Sequence, residues 1–218
     1  MIMRQVIFLI SFSFALAYGV YFCWQDPSLL KTIVKTTALG VVALWAFVTQ
    51  APLLLALALT TSSVGDAALA VPGEVRFLVG LCSFAIAHIF YILLFSRKIR
   101  HFDSRIFIVS GAALSVLVLS TGWWLLPFTG DLMIPVAIYI ILIAIMGGMA
   151  AQVGGWVLIG ALAFMMSDTL LAIQLFRLDD ISPLQLPVSV ALWTLYYCGQ
   201  MLIFLAISRD RVPVSKFS

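Results

Sequence analysis

Asp66 and Asp168 stand deep in apolar runs of the 218-residue chain, within SSVGDAAL (residues 62–69) and MMSDTLLA (residues 165–172). A charged residue at the centre of a membrane helix costs about 2.5–3.5 kcal/mol on insertion scales, so an intramembrane aspartate marks a site of function unless a structural partner accounts for it. Two carboxyl groups that share a dry cavity do not both ionise near neutrality, which leaves one as an acid and the other as a base or an anionic stabiliser. The structural alternative is two carboxylates held separately. Each would then be paired with a lysine or capped by neighbouring hydroxyls, Ser62 and Ser63 for Asp66, Ser167 and Thr169 for Asp168.

Other polar side chains fall inside apolar stretches. Lys35 is placed to snorkel to the interface, or to bind an anionic headgroup or one of the aspartates. His88 reads first as a satisfied core histidine and second as a proton shuttle or headgroup contact. Tyr91, Tyr139, Tyr196 and Gln200 are most simply hydrogen-bonding groups between helices, a kind of contact that averages about 0.6 kcal/mol in membrane bundles. Any of them can also line a cavity.

Several chemistries are excluded by what the chain lacks. It has two histidines, and His101 falls in a basic loop, so a three-histidine zinc site cannot be assembled. No GxSxG nucleophile elbow or phosphate-binding P-loop is present. Ser63-Val64-Gly65-Asp66 lacks the first glycine of the GxGD motif of intramembrane aspartyl proteases. Cys23, Cys82 and Cys198 are odd in number and have no CxxC spacing, and they read as small packed hydrophobes rather than a disulfide or zinc framework. No metal or redox cofactor is expected.

Holding two carboxylates in hydrocarbon requires membrane-spanning helices, and the composition supplies them. Hydrophobic residues make up 64% of the chain and charged residues 10%, where soluble domains carry about 25% charged; the mean hydropathy is +1.17. The expected fold class is therefore all-α, a single transmembrane bundle over residues 1–218 with about eight spans. Charges, prolines and glycines place these near 4–24, 29–48, 51–71, 75–96, 105–126, 132–151, 154–176 and 186–208. Arg4, the apolar IFLISFSF run and Ala15-Leu16-Ala17 also have the pattern of a secretory signal, but the run continues to Trp24, which favours a retained first helix.

Basic residues set the orientation. With the N-terminus cytoplasmic, that side collects Arg4, Arg97, Lys98, Arg100, Arg105, Arg209, Arg211 and Lys216. The other side receives Lys31, Lys35, Arg76 and Arg177, together with Asp26, Glu74, Asp131, Asp179 and Asp180. The positive-inside rule then puts both termini in the cytoplasm, and the net charge of +3 reads as topology rather than nucleic-acid binding. Spans three and seven run the same way, with Asp66 and Asp168 roughly 22 and 21 Å along them at 1.5 Å per residue. Similar depth predicts that the two carboxyl groups converge on one polar pocket in the outer half. An Asp-x-x-Leu helix followed by a tyrosine-bearing helix with a basic end occurs twice, a weak parallel four-plus-four repeat.

The residues around both aspartates carry a family likeness. SSVGDAALAVPGEVRFLVGLCSFAIAHIFYILLF (62–95) resembles the signature of the YhhN/TMEM86 family of lysoplasmalogenases in its Gly-Asp, Phe-x-x-Gly, Phe-x-x-x-His and Tyr elements. IGALAFMMSDTLLAIQLF (159–176) and LYYCGQMLIF (195–204) resemble its Gly-Ala-x-x-Phe-x-x-Ser-Asp and Tyr-Tyr-x-x-Gln elements. Thr36 after Lys35 and Gly199 before Gln200 depart from the family's Pro and Ala. The resemblance implies a polytopic hydrolase of the vinyl ether bond of lysoplasmalogens, releasing a fatty aldehyde and glycerophospho-ethanolamine or glycerophospho-choline. It implies Asp66 and Asp168 as catalytic residues and Lys35, His88, Tyr91, Tyr139, Tyr196 and Gln200 as substrate-binding residues.

Vinyl ether hydrolysis needs a proton on the β-carbon, a negative charge near the resulting oxocarbenium ion, and one positioned water. A carboxyl–carboxylate pair supplies these as it does for glycosidic oxocarbenium states. The expected partners are a lysophospholipid substrate, its phosphate near Lys35 or Arg76, and membrane lipids; no nucleic acid is expected, and the location is a cell membrane, for a bacterium the cytoplasmic (inner) membrane. The competing class is a proton- or ion-coupled transporter of a lipid or small amphiphile, which would use paired carboxylates on interrupted helices. Gly147-Gly148 in span six is the one candidate interruption.

Overall fold

In hydrocarbon every backbone amide must be bonded within the chain, which selects helices for a sequence with this hydropathy. The computed structural model describes residues 2–179 and 181–209. Within them lie eight α-helices and no strand: α1 Ile2–Val20, α2 Leu29–Val48, α3 Leu53–Leu69, α4 Glu74–Ser96, α5 Ser104–Leu125, α6 Met133–Val153, α7 Gly155–Phe176 and α8 Gln185–Arg209. The orientation argument also used Asp180, Arg211 and Lys216, which lie outside the described residues.

Local signals explain the boundaries. Ser28 caps α2 by accepting from the Lys31 amide at 3.1 Å, and Asp103 caps α5 by accepting from the amides of Arg105 and Ile106 at 2.8 and 3.2 Å. Pro52 starts α3 and Pro72-Gly73 separates it from α4. Gly154 and Gly155, with φ of 75° and 55°, take the left-handed backbone that reverses the chain between α6 and α7 with no intervening loop.

The expected eight helices are present among the described residues, seven of them long and apolar enough to cross a membrane, and three finer expectations need correction. The exception is α3, whose 17 residues reach about 26 Å, short of the roughly 30 Å hydrocarbon thickness. The first helix ends at Val20, because residues 22–24 tighten into a 3-10 turn. Cys82 and Cys198 are exposed on the outside of the bundle and only Cys23 is partly covered, so two of the three thiols are not core packing. The α6 helix continues unbroken through Gly147-Gly148, and offers no interruption of the kind a discontinuous transport helix uses.

Packing follows chain order. The most extensive contacts join α7 to α8, α3 to α4 and α2 to α3, while α4 also packs on α6 and α8 also meets α1 and α3. The first helix is built into the bundle: Ser11 donates to the Ala38 carbonyl at 2.5 Å and lies 2.8 Å from the Tyr197 hydroxyl, and the Trp193 indole donates to the Ala15 carbonyl at 2.9 Å. Between α7 and α8 the backbones nearly touch. A Cβ on Gly199 would stand 2.7 Å from the Gly160 carbonyl oxygen, and one on Gly160 would stand 2.8 Å from that of Gly199. By contrast, α5 buries only Leu125 and lies at the rim.

Candidate active site

The helix-face spacing of α3 and α7 turns Asp66 and Asp168 inward, each followed one turn later by a leucine, Leu69 and Leu171. Asp66 is 1% exposed. Its Oδ1 lies 3.7 Å from Lys35 Nζ, and its Oδ2 accepts from the Tyr196 hydroxyl at 2.7 Å. The Lys35 ammonium also lies 5.8 Å from the centre of the Tyr18 ring, within cation–π range. The nearby hydroxyls do not cap this carboxylate. Thr60 and Thr61 bond back to helix carbonyls, Ser63 donates to the Thr36 carbonyl, and Ser62 accepts from Gln200.

Asp168 has a different setting. Its Oδ2 accepts from the Tyr139 hydroxyl at 2.6 Å and lies 3.2 Å from His88 Nε2, with the hydroxyl and Nε2 themselves 3.0 Å apart. His88 is fully buried and its Nδ1 has no partner. A proton on Nε2 therefore gives that nitrogen an acceptor and leaves only a bare lone pair on Nδ1, which is the less costly of the two tautomers. Among the described residues no donor is bonded to Asp168 Oδ1. Thr169, the hydroxyl next in sequence, bonds back to the Met165 carbonyl instead of to the aspartate.

The partners cross between the halves of the chain. Asp66 on α3 is held by Tyr196 of α8, and Asp168 on α7 is held by His88 of α4. Phe84 and Phe164 form the wall between the two clusters. Their ring centroids lie 5.7 and 5.6 Å from that of Tyr196, and Phe164 lies 4.8 Å from the His88 ring. Gly65 is what admits Phe84 beside Asp66, since a Cβ there would stand 2.6 Å from the phenyl ring.

Two adjoining cavities reach this region. A narrow slot of about 70 Å³ runs between α4, α5, α6 and α7, lined almost wholly by apolar side chains, with Tyr139, Asp168, Thr121 and Thr169 as its polar groups. A wider vestibule of about 650 Å³ is lined by Lys31, Lys35, Glu74, Gln174, Gln185 and Ser189 among apolar and aromatic neighbours. Leu69, Phe77, Leu171, Leu175 and Phe176 line both and form the neck between them. A polar mouth opening onto an apolar slot suits an amphiphile with one charged end, and the slot passes a carboxyl group held by a tyrosine and a histidine.

The structure brings Lys35, Asp66 and Tyr196 together, and separately His88, Tyr139 and Asp168. The two carboxylates do not converge on one polar pocket as expected: Asp168 lines the apolar slot and Asp66 does not. Asp66 lines neither cavity, because Lys35 and Tyr196 occupy both of its oxygens. Tyr91 and Gln200 are bonded to one another about a turn deeper, where Gln200 also donates to Ser62 at 3.1 Å; both are fully buried, touch neither aspartate and line neither cavity. Arg76 is exposed and lines neither cavity. Sequence reasoning gave no role to Phe84, Phe164 or the neck leucines, although the two phenylalanines stand in the Phe-x-x-x-His and Gly-Ala-x-x-Phe elements and the repeated Asp-x-x-Leu spacing pointed at the leucines.

The YhhN family model matches residues 30–207 of the chain. Among curated proteins, the human protein named lysoplasmalogenase TMEM86B is 33% identical, over 92% of this chain and 87% of its own length. No solved structure matches.

Proposed function

The chain belongs to the YhhN family, and on that premise we propose that it is a membrane-embedded ether hydrolase of the lysoplasmalogenase type, acting on alkenyl-glycerophospholipids. The human relative's name supports the reaction class at the level of the family. The observation that carries the reading to this chain is Asp168, which stands in the wall of an apolar slot with Tyr139 and His88 on one oxygen.

In this reading the alkenyl chain lies in the slot with its vinyl ether at the neck. Asp168 carries the pair's proton on Oδ1, while Oδ2 accepts from Tyr139 and His88. The acid protonates the β-carbon of the vinyl ether, and the same two donors steady the carboxylate it becomes. The electron pair of the double bond forms the new C–H bond, leaving an oxocarbenium ion opposite a fresh negative charge. Water adds to the oxocarbenium carbon, the one bonded to the ether oxygen, and returns its proton to Asp168. The hemiacetal collapses to a fatty aldehyde and the glycerol hydroxyl of the headgroup fragment. The slot's apolar walls strengthen each of these charge interactions.

Asp66 acts from behind this centre. This reading makes Asp66, with Lys35 beside it, the anion whose negative charge favours the cationic transition state while Tyr196 fixes its direction. Tyr91 and Gln200 are positioning residues that tie α4 to α8 and, through Ser62, to α3. The orientation consistent with the basic loops has both termini in the cytoplasm, in a bacterium at the cytoplasmic (inner) membrane. Purified protein in detergent, given a 1-alkenyl lysophosphatidylethanolamine, is expected to release aldehyde, and to release none from the matching 1-alkyl ether. Equal inertness toward both lipids would remove this reading.

A further inference from the structure

Lys31 has no role in the chemistry above, yet it shares the vestibule with Lys35 one helical turn away on α2. Two ammonium groups at i and i+4 repel when nothing lies between them. The Lys31 ammonium donates to the Gln25 carbonyl at 2.6 Å and the Cys23 carbonyl at 3.3 Å, which holds it in place and leaves one of its three N–H groups unused. Lys35 is 3.7 Å from its carboxylate, longer than a hydrogen bond, so its ammonium protons also remain available. Glu74, at the start of α4, is the one carboxylate among the described residues lining the vestibule. A pair of cations on α2 and an anion at the head of α4 form a charge pattern with two unlike poles. At about 650 Å³ the space falls in the usual range for a small-molecule site.

We propose that the vestibule binds a zwitterionic phosphodiester headgroup, with Lys31 and Lys35 on the phosphate oxygens and Glu74 on the ammonium. This rests on the lysolipid reading, since the neck joins the vestibule to the slot that takes the chain. Lys31 is then the residue that selects for phosphate, because Lys35 is divided between the headgroup and Asp66.

Binding can be separated from turnover by titrating the full chain in detergent with the headgroup fragment alone. Glycerophosphoethanolamine, glycerol 3-phosphate and inorganic phosphate are compared by calorimetry. Glycerophosphoethanolamine is expected to bind the wild type more tightly than inorganic phosphate. Lys31→Gln should weaken both glycerol compounds at least tenfold and Lys31→Arg should restore most of the loss. Glu74→Gln, at an exposed position, should weaken glycerophosphoethanolamine and leave glycerol 3-phosphate unchanged. Unchanged affinities in Lys31→Gln, no wild-type binding, or inorganic phosphate binding as tightly as glycerophosphoethanolamine would each overturn the assignment, the last by marking a site for free anions. Aldehyde release without headgroup binding would sink the subsite alone, and binding without aldehyde release would sink the hydrolase reading alone.

Discussion

His88 on α4 lies 3.2 Å from the carboxylate of Asp168 on α7, so the acid of the second half of the chain is held by a residue of the first. The reciprocal contact, Tyr196 of α8 on Asp66 of α3, makes each half incomplete without the other. The proposed site is therefore completed only by both halves of the bundle together. Two carboxylates at similar places on like-running helices have become chemically different, one bordering the slot and one enclosed with a lysine.

Asp168→Asn keeps the shape but cannot supply a proton. Aldehyde release should fall by about 10²–10⁴, the usual weight of a general acid. Because the asparagine can still accept from Tyr139 and His88, thermal stability should be nearly unchanged. A kinetic assay beside a melting curve checks both halves of the expectation.

Asp66→Asn should lose stability as well as activity. Breaking a buried pair from one side costs about 3–5 kcal/mol; Lys35 borders the vestibule and can turn into it, which puts the expected loss at the lower end. Adding Lys35→Met to Asp66→Asn should recover much of the melting temperature and none of the activity. Recovery of activity in the double variant would make Asp66 a purely structural partner of the lysine.

Tyr139→Phe removes a 2.6 Å donor from Asp168 and leaves the ring in place. Activity should drop by roughly 10–100-fold, since a hydrogen bond to a charged group is worth about 1.5–3 kcal/mol. Tyr91→Phe, which loses only the bond to Gln200, should cost stability with a much smaller effect on turnover at the temperature of full folding. Comparing kcat for the two variants separates a residue at the reacting group from one that only ties helices together.

Gly199→Ala should destabilise by about 1–3 kcal/mol, as overpacking does, because its Cβ would press on the Gly160 carbonyl. Separating α7 from α8 also separates Asp168 from the helix that carries Tyr196, so activity should fall with stability. Gly111→Ala on the open rim helix meets nothing within 4 Å and should be neutral or stabilising by about 0.5–1 kcal/mol.

The bundle and its boundaries were legible because hydropathy, proline and glycine report directly on spans, and the family likeness from Lys35 onward singled out the polar residues expected at the site. The short α3 was less so, since Ala70 and Val71 continue its apolar run although the helix stops at Leu69 before Pro72-Gly73. The candidate residues were legible as a set of polar groups in apolar helices, and their arrangement was not. Depth along a helix is a sum of rises, and it placed both aspartates at a similar level. Rotation about the helix axis decides which cavity a side chain meets, and a weak apolar periodicity on an almost wholly apolar helix carries little of that information. That is why Asp66 was expected in the same pocket as Asp168, and why Tyr91 and Gln200 were grouped with residues that border the cavities. The pairing of Tyr196 with Asp66 and of His88 with Asp168 depends on contacts 130 and 80 residues apart, which no local spacing encodes.

Protonation of carbon by Asp168 is tested most directly by turnover in deuterated water. The aldehyde released by the wild type should carry one deuterium on the carbon next to the carbonyl, and Asp168→Asn should release essentially none of it. Aldehyde without that deuterium, or an Asp168→Asn protein that is correctly folded and fully active, would contradict the role assigned to this carboxyl group.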